Sequence, residues 1–269
     1  MTSLHDLLEA VRVDDTTFAF TVPDGWQQGR GAFGGLVIGA MTRAAIRATN
    51  DADRHVRTVT AELLGPVLPG LATLKIERLR QGSGVSACRV RVLQANAAGV
   101  DEEVCCAVVV TARARPNTPT FAHREKPASP PWSDLEPIAV EPPLGPVFAQ
   151  HFHFRPTDHF PFSLSSRALA AGFIQPKHGG AIDAAVIAAC ADAWWPAVYA
   201  MFDAPRPTAT ITFALEIVAD LSSLDTLAPL FHEARSDTAL DGYAVEHRAL
   251  WTPDGRLVAE NQQLFAIIR

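Results

Sequence analysis

Apolar and polar positions along this chain fall into one pattern that occurs twice. A helix-like apolar run over 35–48, GLVIGAMTRAAIRA, precedes strand-like runs over 57–67, 73–80, 86–94 and 103–112. A second apolar run over 181–193, AIDAAVIAACADA, precedes strand-like runs over 208–218, 230–235, 242–251 and 257–268. The closing segments match best, SACRVRVLQANAAGVDEEVCCAVVVTAR beside GYAVEHRALWTPDGRLVAENQQLFAIIR. Each alternates, breaks at a glycine-containing turn and alternates again, which predicts a long β-hairpin. A repeat of roughly 150 residues indicates domain duplication and not a solenoid.

Between the halves, residues 116–146 read PNTPTFAHREKPASPPWSDLEPIAVEPPLGP. Proline at this density sustains neither a helix nor a central strand, so the segment is expected to be a linker or an edge-hugging connection. It separates a first domain at 1–115 from a second at 147–269. One helix followed by antiparallel strands, twice over, gives an α+β class. The 181–193 run is small and apolar nearly all round, and Pro196 follows it; a helix without a polar face must be enclosed. The first helix has only a partial polar edge, Thr42, Arg43 and Arg47. A single helix enclosed by an antiparallel sheet is the hotdog arrangement, so two tandem hotdog domains are expected.

Composition narrows the partners. The 269 residues are 48% hydrophobic and 19% charged, enough apolar surface for two cores. With a net charge of -6 and no Lys/Arg run, a nucleic-acid partner is not expected, and an anionic ligand would need a local basic cluster. The first ten residues lack the apolar core of a signal peptide, and no apolar stretch reaches the roughly 20 residues of a membrane span. Cys88, Cys105, Cys106 and Cys190 have no metal-like spacing and are expected to be buried thiols in a reducing cytoplasm. His151 and His153 alternate in FAQHFHFRP, but a metal would need a third ligand such as His159 or His178 that nothing fixes; no metal and no cofactor are expected. Trp194-Trp195 is read as packing. No G-x-S-x-G elbow, G-x-x-x-x-G-K-[ST] loop or G-x-G-x-x-G loop occurs, which disfavours a serine hydrolase and a nucleotide cradle.

Several motifs together resemble those of the acyl-CoA thioesterase II-like double hotdog proteins. Phe33-Gly34-Gly35 opens the first helix, and Glu77-Arg78-Leu79-Arg80-Gln81-Gly82 precedes Ser86-Ala87-Cys88-Arg89-Val90. In the second half Cys190-Ala191-Asp192, Thr210-Ile211 and Gln263 stand where that family has its Asp, Thr or Ser, and Gln catalytic set. The resemblance covers nearly the whole chain outside the proline-rich connection. It implies hydrolysis of acyl-CoA to free acid and CoA by carboxylate-activated water, one active site per chain at the seam between domains, and pairing into a homodimer or higher homo-oligomer. Asp192 would be the general base, with Thr210 and Gln263 fixing the water.

The residues carry physical arguments of their own. A carboxylate in an Ala/Val/Ile/Cys helix suffers desolvation, and near the helix C-terminus the macrodipole disfavours it by roughly 0.3–1 kcal/mol. The alternative is that Asp192 emerges into solvent or pairs with an arginine. Asp183, near the helix start, is read as structural. Thr210 lies in PTATITFALEI, where Thr is common for strand propensity alone, and Thr208 and Thr212 share its face at period two. Gln262 and Gln263 face opposite ways, and the alignment of the strand end selects Gln263. Gly34 and Gly35 expose unpaired N–H groups at a helix start, suited to an oxyanion, or they simply allow close packing. Two other readings remain. An enoyl- or hydroxyacyl-thioester hydratase would need an Asp/His pair, and no D-x-N-P-x-H-like motif occurs. A non-catalytic acyl-CoA-binding hotdog protein would keep the fold alone; Asn261, Gln262, Thr212 and Phe213 depart from the family's usual residues.

Overall fold

The computed structural model describes residues 2–143 and 145–268. Its centre is a twelve-stranded antiparallel sheet wrapped around two helices, α2 (Gly34–Thr49) and α3 (Ala184–Asp192). A short helix, α1 (Leu4–Leu7), precedes β1 (Val11–Arg12) and β2 (Thr17–Val22). A minor ribbon, β3 (Gln27–Gln28) with β4 (Gly31–Ala32), leads into α2. Then come β5 (His55–Leu63), β6 (Gly70–Gln81), β7 (Val85–Ala95) and β8 (Asp101–Ala112). The second half holds β9 (Phe152–Pro156), β10 (Ala168–Pro176), β11 (Thr208–Ile217), β12 (Leu230–Leu240), β13 (Tyr243–Trp251) and β14 (Leu257–Ile267).

The strand order β1-β2-β6-β7-β8-β5-β11-β14-β13-β12-β10-β9 reads the same pattern outward from its middle. At that middle β5 and β11 pair antiparallel, with Val59 opposite Leu215. Both expected hairpins form, β7–β8 and β13–β14. Two hotdog units thus share one continuous sheet, and one contiguous apolar core runs through both.

Small residues let the helices meet across the seam. A Cβ added at Gly35 would lie 2.9 Å from the Ala189 carbonyl oxygen, and one at Gly39 would lie 2.9 Å from that of Ala185. The two helices therefore run antiparallel in near backbone contact, which places the start of α2 beside the end of α3. Each terminus has its own cause. The Asp183 carboxylate accepts from the amides of Ala185 and Val186 and caps α3, while Asn50, left-handed at φ 47°, closes α2. Residues 184–201 are apolar enough on average for a membrane helix, yet α3 stops at Asp192 and most of the stretch is buried within the sheet.

Three features differ from expectation. Strands β2 and β10 carry no prediction; β10 is buried at six of nine positions and exposed at none, so alternation vanishes. The cause is the proline-rich segment, which lies over the outer face of the second half. Trp132 and Leu135 pack there against a cluster that includes Phe173, Phe231 and Trp251, Lys126 sits 4.5 Å over the Phe231 ring, and Arg124 pairs with Glu233 and Glu260. His151 and His153 do not share a strand: His151 ends a 3-10 turn, Val147–His151, and its ring stacks on Trp26 at 4.2 Å. Cys106 is only half-buried, whereas Cys88, Cys105 and Cys190 are buried as expected, and all four are free.

The helix contact yields a test. In Gly39→Ala the gain in helix propensity, about 1 kcal/mol, is opposed by overpacking of about 1–3 kcal/mol against Ala185 and Leu8. The variant is expected to melt several degrees lower. Gly84→Ala, whose added carbon meets nothing, should melt like the parent in the same calorimetric scan.

Candidate active site

Asp192 is the last residue of α3 and is buried, with 8% of its surface exposed. Its Oδ1 accepts from the Gln263 side-chain amide at 3.1 Å. The same Nε2 donates to Asn261 Oδ1 at 2.9 Å, and Asn261 Nδ2 donates to the Ala214 carbonyl at 2.7 Å. A carboxylate needs a donor, so this chain of amides is oriented from the backbone of β11 outward to Asp192. Gln263 Oε1, left as acceptor, receives the Thr210 hydroxyl at 3.3 Å. Asp192, Gln263 and Thr210 are thereby brought together.

Thr210 reaches this side of the sheet through a β-bulge. Thr210 pairs with Phe265 but Thr212 with Leu264, so Ile211 is an extra residue. Regular alternation would turn Thr210 the way Thr212 faces; the bulge flips it inward to Gln263. Thr212 therefore does not share its face, a correction to the period-two reading. Gln263 is fully buried and Gln262 exposed, as strand alternation requires.

Gly34 and Gly35 lie on the opposite side of the seam. A Cβ at Gly34 would come 2.8 Å from Asp192 Oδ2, so only glycine leaves room for the carboxylate. The Gly35 backbone amide acts on Asp192 itself and helps to lower its pKa. The start of α2, the favourable end of its dipole, thus faces an acid at the unfavourable end of α3.

Beneath Asp192 is a polar cluster that the sequence reading missed. Arg248 is 1% exposed; its Nη1 donates to the Ala191 carbonyl at 2.8 Å and lies 4.0 Å from Asp192 Oδ1. Its Nε donates to Glu246 Oε1 at 2.7 Å, and Glu246 Oε2 accepts from the Ala197 amide at 2.7 Å. His232, fully buried, stacks on Trp194, and burial lowers its pKa well below 6.5, so it is neutral. Arg248 satisfies a terminal carbonyl of α3 and supplies the cation that the helix end favours. The two carboxylates face one guanidinium, so ionising both would leave one negative charge in excess. Burial raises the pKa of Asp192 above 3.8, against the opposing pull of Arg248, the Gln263 amide and the Gly35 N–H. Glu246 is likewise raised, chiefly by burial.

The duplicated hairpins hold the signal that would have found this cluster. In a gapless alignment of 86–113 with 242–269, Glu246, Arg248, Asn261 and Gln263 stand opposite Val90, Val92, Cys105 and Ala107. All eight are buried, so four core positions are apolar in one copy and polar in the other. Asp183, read as structural, caps α3 and pairs with Arg43 at 2.6 Å. In α2, Thr42 turns its hydroxyl onto the Ile38 carbonyl.

A cavity of about 400 Å³ adjoins the end of α3, walled mainly by apolar and aromatic groups including Phe148, Ala193, Trp194, Trp195 and Tyr199. Val140 and Pro146 of the proline-rich segment close part of it. A larger cleft, about 800 Å³, lies at the far end of α2 beside Arg12, Asn50 and Arg78.

A duplicated hotdog sheet with an acid at its seam defines a class, the double hotdog proteins. The family described as the acyl-CoA thioesterase N-terminal domain matches residues 22–114, and the acyl-CoA thioesterase C-terminal domain matches residues 114–267. The chain belongs to the acyl-CoA thioesterase family. Among solved structures, a hot dog fold protein of unknown function from Alicyclobacillus acidocaldarius is similar at TM-score 0.89 and 21% identity, covering 100% of this chain and 99% of that one. An acyl-CoA thioesterase II, TesB2, from Mycobacterium marinum is similar at 0.77 and 17%, covering 98% of each. The dehydratase domain of RzxB from Pseudomonas fluorescens is similar at 0.61 and 15%, covering 98% and 99%. At these identities the likeness concerns the fold, which hosts both reactions. No curated protein matches the chain significantly.

The raised pKa of Asp192 carries a sign for stability. A carboxyl that holds its proton more tightly folded than unfolded favours the fold at low pH and loses that contribution as pH rises through its folded pKa. Asp192→Asn, which mimics the protonated form, is expected to melt higher than the parent near neutral pH. The difference should shrink as the pH falls toward about 4, measured by thermal unfolding across a pH series.

Proposed function

We propose that the protein hydrolyses acyl-CoA thioesters to free acid and CoA with a water activated by Asp192. The observation that carries this reading is the convergence of the buried Asp192 carboxylate with Gln263 and Thr210 at the start of α2. Asp192 takes a proton from water as the water oxygen bonds to the thioester carbon. Gln263 holds the carboxylate and Thr210 the water. The carbonyl oxygen gains the negative charge that Asp192 gives up, and the N–H of Gly34, with that of Gly35 once the carboxyl is neutral, stabilises it there. Collapse of the adduct expels the CoA thiolate, a good leaving group that needs no strong acid. A carboxyl whose pKa lies above the ordinary range is the better base at neutral pH, so its burial serves the reaction.

The hydratase reading lacks its acid–base pair. The histidine at the end of α3, His232, is neutral, enclosed and stacked on Trp194, with Nε2 at 3.4 Å from the Ala191 carbonyl oxygen.

A CoA-release assay over an acyl-length panel tests the proposal. Wild type should turn over, and Asp192→Asn should lower kcat by about 10²–10⁴ with little change in KM. The rate of the wild type should fall on the acid side with a midpoint above 3.8, set by the raised Asp192 pKa. Absence of turnover on every acyl-CoA, or full activity in Asp192→Asn, would sink the mechanism. Hydration of crotonyl-CoA without CoA release would favour the rival.

A further inference from the structure

The cavity beside α3 has walls that are apolar in shape but not in hydrogen-bonding capacity. Its rings come from Phe148, Phe154, Phe162, Trp194, Trp195 and Tyr199, and its volume of about 400 Å³ is near the small end of the roughly 300–1,000 Å³ that ligand sites span. Both tryptophans carry an indole N–H that is buried without a hydrogen-bond partner. A buried donor left unsatisfied has given up its water without gaining a partner, so an acceptor that reaches it is favoured. A third such indole, Trp251, packs in the separate cluster on the outer face of the sheet and does not line the cavity. The Tyr199 and Thr208 hydroxyls, which line the same cavity, are 2.9 Å apart. Only one proton of the pair lies between them, so the other remains to be donated. Among the described residues the one charged side chain at this cavity, Arg206, is more than half exposed and leans toward Asp203. The described wall therefore offers spare donors and no buried charge.

We infer that this cavity takes an uncharged acyl group of medium length bearing an oxygen acceptor along its chain, a hydroxy- or oxo-acyl thioester. The inference rests on the proposed thioester hydrolysis and names the substrate class for that same site. Chemistry points this way on three counts. Aromatic walls take up the apolar chain, and donors lacking partners are satisfied by an oxygen on it. The limited volume turns away long chains, which would leave apolar carbon in water. Ala193, which follows Asp192, lines the cavity together with Trp194 and Trp195, so the pocket adjoins the end of α3 that carries the acid.

The test compares CoA release from octanoyl-, β-hydroxyoctanoyl-, β-oxooctanoyl- and palmitoyl-CoA by the full chain. The oxygenated octanoyl thioesters should show kcat/KM about tenfold or more above octanoyl-CoA, the worth of one buried donor satisfied, and palmitoyl-CoA should be the poorest. Trp195→Phe and Tyr199→Phe, which keep the ring and remove the donor, should erase the preference, lowering kcat/KM on the oxygenated thioesters about tenfold more than on octanoyl-CoA. Equal loss on every substrate would mean that these donors serve the CoA part common to all, and would overturn the inference. A preference for palmitoyl-CoA or for plain octanoyl-CoA would overturn it too. Thermal unfolding of each variant separates lost preference from lost fold. Hydrolysis of any of the four keeps the proposed function standing whatever the preference; no hydrolysis of any acyl-CoA ends both.

Discussion

The buried guanidinium of Arg248 holds the centre of this molecule together. It occupies the C-terminal end of α3, donates to the Ala191 carbonyl, binds Glu246 and faces Asp192 at 4.0 Å. Without a cation there, an acid at the negative end of an enclosed helix would carry both desolvation and dipole penalties. With it, part of that penalty is offset: Arg248 pulls the Asp192 pKa down while burial keeps it above 3.8. Burial raises the Asp192 pKa against the pull of Arg248, and that raised pKa serves the proposed mechanism. Stability and chemistry pull against each other at this residue.

Backbone proximity is the second constraint. Gly35 and Gly39 lie against Ala189 and Ala185, and only residues of that size let two helices meet with carbonyl oxygens under 3 Å from where a Cβ would stand. This contact carries the start of α2 to Asp192, so the first half contributes glycines to a site whose side chains all come from the second. Duplication supplied the frame and divergence divided the labour. Val90, Val92, Cys105 and Ala107 keep one copy of the hairpin apolar, while Glu246, Arg248, Asn261 and Gln263 make the other polar.

Hairpins, the duplication and both core helices were legible because each leaves a period or an interruption in the chain. Asp192, Thr210 and Gln263 could be named from motif order, and Asp183 could be assigned to the helix start by the preference of acids for that end. Legibility failed where partners come from elsewhere. Strand β10 shows no alternation because the proline-rich segment buries its outer face, and no local pattern announces a cover contributed by residues 124–135. Period two gives Thr210 and Thr212 one face, and no residue type in the strand signals the bulge that separates them.

What the sequence determined by itself was therefore periodic and local: two copies of a helix wrapped by antiparallel strands, a proline-rich connection, and a lone acid at the close of an oily helix. Tertiary structure decided which groups surround that acid. Arg248 and Glu246 read as ordinary alternating charges in a hairpin, and only the closing of the sheet over α3 turns both inward. The reason is physical: hydrophobic period is fixed by neighbours along the chain, whereas the cost of burying a charge depends on every group that arrives through space.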